Sequence, residues 1–88
     1  MKMIIAVIND GDNDKVSQAL IAADLRVTRI ASTGGFLRRG SSTLMIGLDD
    51  EKVDQAIEII RETTEAPAET GIRRATLFVL NVDHFSQV

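Results

Sequence analysis

The chain has 88 residues, 44% apolar and 26% charged, with a formal net charge of −3. It holds no cysteine, which excludes a disulfide framework or a thiolate site, and no apolar run approaches the ~18 residues of a membrane span. The acidic balance also argues against general nucleic-acid binding, which normally needs a broadly basic surface.

A single domain over residues 1–88 is expected from this length. Met3-Ile-Ile-Ala-Val-Ile8 is apolar and β-branched and ends at the turn signal Asn9-Asp10-Gly11, so it reads as a strand. Asp12 is placed as the N-cap of a helix carrying Val16, Ala19, Leu20 and Ala23 on one face. Leu25 to Ser32 reads as a second strand of mixed polarity. The glycine-rich stretch Thr33-Gly-Gly-Phe-Leu-Arg-Arg-Gly-Ser-Ser-Thr43 follows, then a third strand, Thr43 to Leu48. Asp49 is placed as the cap of a second helix with Val53, Ala56, Ile57 and Ile60 at the same spacing, 37 positions after their counterparts. Glu65 to Gly71, with Pro67, reads as a connection, Ala75 to Leu80 as the last strand and Asn81 to Val88 as a tail.

The resulting order, βαββαβ, predicts an α+β, ferredoxin-like sandwich: an antiparallel sheet with two helices on one face. The other face of such a sheet alternates to polar where it meets water. Here Met3–Ile8, Leu44–Leu48 and Leu77–Leu80 are apolar at nearly every position. An uncovered apolar face is an aggregation hazard, so self-association is expected, with sites at subunit clefts. Met1-Lys2 runs into the first strand without a small-residue cleavage site, so the expectation is no signal peptide and a cytoplasmic location.

Charge is uneven along the chain. Between Leu25 and Leu48 there is no Asp or Glu, yet Arg26, Arg29, Arg38 and Arg39 all fall there. Consecutive Gly34 and Gly35 can turn backbone N–H groups toward one point and form an anion nest. Arg38 or Arg39 can add charge-assisted hydrogen bonds to phosphate oxygens, Phe36 offers a stacking face worth about 1–3 kcal/mol per base, and Leu37 can cover the ring. Thr33 and Ser41–Thr43 supply hydroxyls. Strand alternation puts Arg26 and Thr28 on one face, opposite Leu25 and Val27. A second reading stands beside this one: a glycine hairpin whose Phe-Leu tip plugs a neighbouring subunit while its arginines stay solvated.

The remaining chemistry is thin. Asp10-Gly-Asp12-Asn-Asp14 opens like a calcium loop, but the sixth and twelfth positions, where Gly and Glu are needed, are Lys15 and Ile21. His84 is the single histidine, and without a partner nucleophile or second ligand it supports neither catalysis nor a metal site. No phosphate-loop lysine follows the glycines. No enzyme, metal or cofactor is expected.

At Leu25-Arg-Val-Thr-Arg-Ile-Ala-Ser-Thr-Gly-Gly-Phe-Leu-Arg-Arg-Gly40 the sequence resembles the cyclic di-AMP receptors, bacterial PII-like trimeric signalling proteins. The likeness extends to Met1-Lys-Met-Ile-Ile-Ala-Val7, to Ala75-Thr-Leu-Phe-Val-Leu80, and to Val82-Asp83, Phe85 and Gln87. It implies a homotrimer of ferredoxin-like subunits that binds a nucleotide second messenger at the clefts without catalysis and signals to a downstream protein. It implies neither nucleic-acid nor membrane partners. By position, Arg26 and Thr28 match contacts to phosphate and sugar, and Gly35, Phe36 and Leu37 match a loop lining an adenine. Gly47 matches a close backbone approach and Gln87 a contact from the tail; Gly34, Arg38 and Ser41 complete the expected ligand set. The chain departs from the family's pattern at Asp24 (for Asn), at Leu25 (for an aromatic) and at Ser41 (for Asn), and its link from Glu65 to Arg74 is much shorter. The alternative is a trimer that binds another adenine nucleotide, or a structural or protein-interaction trimer without a ligand.

Overall fold

Burial alternates along Lys2–Asn9, the first strand β1: Ile4, Ala6 and Ile8 are buried, while Met3, Ile5 and Val7 are half-buried. That two-residue rhythm follows from successive side chains pointing to opposite faces. The computed structural model describes residues 1–32, 41–64 and 74–88. After β1 come α1 (Asn13–Ala22), β2 (Arg26–Ser32), β3 (Ser41–Leu48), α2 (Val53–Thr63) and β4 (Ala75–Asn81). The four strands form one sheet in the order β2-β3-β1-β4, antiparallel at every pairing. This small α+β arrangement is compatible with the expected ferredoxin-like sandwich. Among the described residues no helix is long and apolar enough to cross a membrane.

The core lies between the helices and one face of the sheet. Ile4, Ala6 and Ile8 on β1 and Leu44, Ile46 and Leu48 on β3 meet Val16 and Leu20 of α1 and Ala56 and Ile60 of α2. Burying each larger aliphatic among these contributes about 1.5–3 kcal/mol. The buried positions also correct the internal repeat. Ile4, Ala6 and Ile8 correspond to Leu44, Ile46 and Leu48, and Val16 and Leu20 to Ala56 and Ile60, all 40 positions apart rather than 37.

The helix starts differ from expectation too. Each helix is entered through a 3-10 turn, Asp10–Asp12 before α1 and Asp50–Lys52 before α2. Asp12 already has helical dihedrals, makes no side-chain cap bond, and is buried with its carboxylate 3.7 Å from Lys15 Nζ. Asp49 is extended (φ −72°, ψ 152°) and also makes no side-chain cap bond; its carbonyl accepts the Lys52 N–H at 2.9 Å. Backbone turns perform the work assigned to the two carboxylates.

The end of α1 sets the direction of β2. Asp24 N–H donates to the Ile21 carbonyl at 2.8 Å and Leu25 N–H to the Leu20 carbonyl at 3.0 Å, with Asp24 in the left-handed region at φ 67°. This is a Schellman closure. It turns the chain so that Leu25 is buried in the core just before β2, rather than opening the strand, and Arg26 emerges on the opposite face.

Candidate functional site

The sheet face away from the helices carries Met3, Ile5 and Val7 on β1, Thr43, Met45 and Gly47 on β3, and Arg26 and Thr28 on β2. Strand register arranges them in rows. Gly47 stands between Arg26 on one side and Met3 on the other, and Met45 stands between Thr28 and Ile5. Glycine in a strand interior commonly marks a place where another group approaches the backbone closely. The gap left by its missing side chain is partly filled by Met1, whose Cε would lie 3.3 Å from a Cβ at position 47.

Over that gap lies a cavity of about 380 Å³. Arg26, Thr28, Met45 and Gly47 supply its sheet side, with Met1 and Met3 beside them, and the segment after β4 supplies Val82, Phe85 and Gln87. The tail is held there at its root, where the Val82 N–H donates to the Met1 carbonyl at 3.1 Å.

The lining has one cationic side chain, Arg26, and no carboxylate among the described residues; the Met1 ammonium is paired with Asp50 at 3.1 Å. Arg26 is exposed and forms no ion pair with any other described residue. Its planar fork of donors suits phosphate or carboxylate oxygens bidentately. The Thr28 hydroxyl can donate or accept, and the Gln87 amide offers both functions. Beside them lie three thioethers and, from the tail, an aromatic ring, a surface suited to a flat, weakly polar group. The arrangement can hold an anion at one end and an apolar or heteroaromatic body at the other.

Four of the residues singled out from sequence therefore meet in one cavity: Arg26, Thr28, Gly47 and Gln87. Ser41 does not. It lies on the same face but six residues along β3 from Gly47, roughly 20 Å at the rise of an extended strand. Gly34, Gly35, Phe36, Leu37 and Arg38 lie outside the described residues. Arg29 is also set apart from the cationic segment. Its Nη2 is 3.3 Å from Asp10 Oδ1, which also accepts a hydrogen bond from the Ser42 hydroxyl. Strand alternation puts Arg29 on the helix face, where the turn after β1 supplies that acid.

Sequence reasoning did not single out Met1, Met3, Met45, Val82 or Phe85 as site residues. Alternation alone places Met3 and Met45 on the open face, but only the register shows them flanking Gly47. Nothing local places Phe85, since it belongs to a segment without regular structure.

The family model described as cyclic-di-AMP receptor matches residues 1–70. The chain is also similar to a solved structure described as the crystal structure of a functionally unknown protein from Pediococcus pentosaceus ATCC 25745. The two are 34% identical, with a TM-score of 0.78, and the match covers 99% of this chain and 96% of that one. On the match over residues 1–70, which spans β1 through α2 and includes Arg26, Thr28 and Gly47, the chain belongs to the cyclic-di-AMP receptor family.

Proposed function

We propose that the protein is a non-enzymatic, PII-like signalling receptor that binds cyclic di-AMP at the clefts between subunits of a homotrimer. The observation that carries this reading is the cavity over Gly47, where Arg26, Thr28 and Gln87 converge with no acid among the described lining residues. Arg26 takes a phosphate, Thr28 hydrogen-bonds the phosphate or sugar, Gly47 admits the ligand close to the backbone, and Gln87 closes the site from the tail.

One cation suits one phosphate, whereas a cyclic dinucleotide carries two. Ser41 lies too far along β3 to reach the same phosphate as Arg26 in its own subunit. Both points favour a ligand shared between chains. A neighbouring subunit would bring its Ser41, with Gly34, Gly35, Phe36, Leu37 and Arg38 just before it in sequence, to the second half of the ligand. The half-exposed apolar face of β1, β3 and β4 supports such self-association.

Calorimetric titration with cyclic di-AMP, AMP, ADP and ATP at two salt concentrations tests the reading. Cyclic di-AMP is expected to give saturable heat, weaker at high salt. Arg26→Ala is expected to lower its affinity about 10- to 100-fold, the worth of a charge-assisted hydrogen bond to phosphate. Absence of heat from all four nucleotides at high micromolar concentration removes the reading.

A further inference from the structure

The chain has three methionines and no cysteine, so its sulfur consists of Met1, Met3 and Met45. All three line the cavity over Gly47, beside Arg26 and Thr28. Met1 and Met3 are two residues apart and share a strand face, but Met45 is 42 residues further on and has no local reason to join them. β1 and β3 bring them together because Met3 pairs with Gly47, while Met45 lies two residues back on the same face. Met1 is 48% exposed, and Met3 and Met45 are half-buried in an open cavity, so small solutes reach them.

We infer that this thioether cluster is an oxidative modification site that turns ligand binding off. The inference rests on the nucleotide reading given above. A peroxide supplies the chemistry. The methionine sulfur gives two electrons to the O–O bond and keeps one oxygen as S=O; the other leaves as water. The product replaces a soft apolar surface with a strong hydrogen-bond acceptor. The cavity's one cationic side chain, the Arg26 guanidinium, is a strong donor, so a sulfoxide oxygen competes with the phosphate for it. The same oxygen makes the apolar wall polar, which costs desolvation when a base is laid against it. Reversal by a sulfoxide reductase takes two electrons from thiols, which become a disulfide in the reductase or its reductant, and releases the oxygen as water, so this chain itself needs no cysteine.

The test uses the full chain, treated with hydrogen peroxide until peptide mass spectrometry shows one added oxygen at Met3 or Met45. Cyclic di-AMP is then titrated into treated and untreated protein. The expected result is an affinity about 10-fold or more lower after oxidation, restored by methionine sulfoxide reductase. Protein in which norleucine replaces methionine keeps the chain shape without sulfur. Whatever its starting affinity, it is expected to be unchanged by peroxide. Equal affinity of treated and untreated wild-type protein, with sulfoxide present, overturns the proposal and leaves the nucleotide reading standing. A loss of affinity that appears equally in the norleucine protein also overturns it. Failure of the untreated protein to bind any nucleotide removes the nucleotide reading and this inference with it.

Discussion

Asp24 occupies a backbone conformation that Gly adopts freely and that residues other than Asn and Asp visit at a cost. At φ 67° its Cβ crowds the following carbonyl, and the penalty for an ordinary side chain is about 1–2 kcal/mol. The position is obligatory because the two bonds to Ile21 and Leu20 close α1 only when the chain turns left-handed there. Asp24→Gly is therefore expected to stabilise the fold by roughly 0.5–1 kcal/mol, and Asp24→Val to destabilise it by about 1–2 kcal/mol. Urea unfolding of the three proteins checks this. A Val variant as stable as the parent would show that the left-handed turn does not carry strain. The carboxylate itself was legible as a departure from the family's Asn. Its conformation was not, since the demand comes from the closure between α1 and β2.

Between elements, Asp10 links three parts of the chain. It sits in the turn after β1, its carboxylate pairs with Arg29 of β2, and it accepts the hydroxyl of Ser42 on β3. The pair with Arg29 is half-exposed and contributes little, typically under ~1 kcal/mol. The bond from Ser42 matters more, because that residue is fully buried. Leaving its hydroxyl unsatisfied costs about 1–3 kcal/mol. Asp10→Ala is expected to lose that amount in chemical denaturation, and adding Ser42→Ala is expected to recover part of it. If the double variant is less stable than Asp10→Ala alone, the Ser42 bond is not the source of the loss.

The repeat register belongs to this scale as well. Helical spacing hardly separates an offset of 37 from one of 40, because residues three apart share a helix face. Strands do separate them. An odd shift moves every strand side chain to the other face of the sheet, and only the even offset keeps Ile4, Ala6 and Ile8 equivalent to Leu44, Ile46 and Leu48 in the core.

At the scale of the whole molecule, the helices of the described residues cover one side of the sheet. Phe78 and Leu80 of β4 pair with Ile5 and Met3 and are 53% and 42% exposed, extending the apolar face to the sheet's edge. Burying that face against further copies removes apolar surface from water at about 25 cal/mol per Å². Light scattering is expected to give the mass of a homotrimer for the parent chain and a smaller species for Phe78→Asp with Leu80→Asp. A monomeric parent would leave the apolar face unexplained and would remove the subunit-cleft part of the proposed site.

The elements and their faces were legible because they are local. Alternating burial in β1 and β3, the apolar stripe of each helix, and the placement of Arg26 and Thr28 opposite Val27 follow from the order of residues alone. Gln87 was placed by resemblance rather than by any pattern in the tail. The tertiary structure decided what depends on residues far apart in sequence. Register put Gly47 between Arg26 and Met3, pairing of β1 with β3 brought Met45 to Met1 and Met3, and the segment after β4 laid Val82, Phe85 and Gln87 beside them. It also separated Ser41 from the cavity and took Arg29 into a pair with Asp10. Side-chain periodicity is set by the geometry of one element, whereas a cavity is set by how elements are aligned, and no stretch of sequence encodes that alignment by itself.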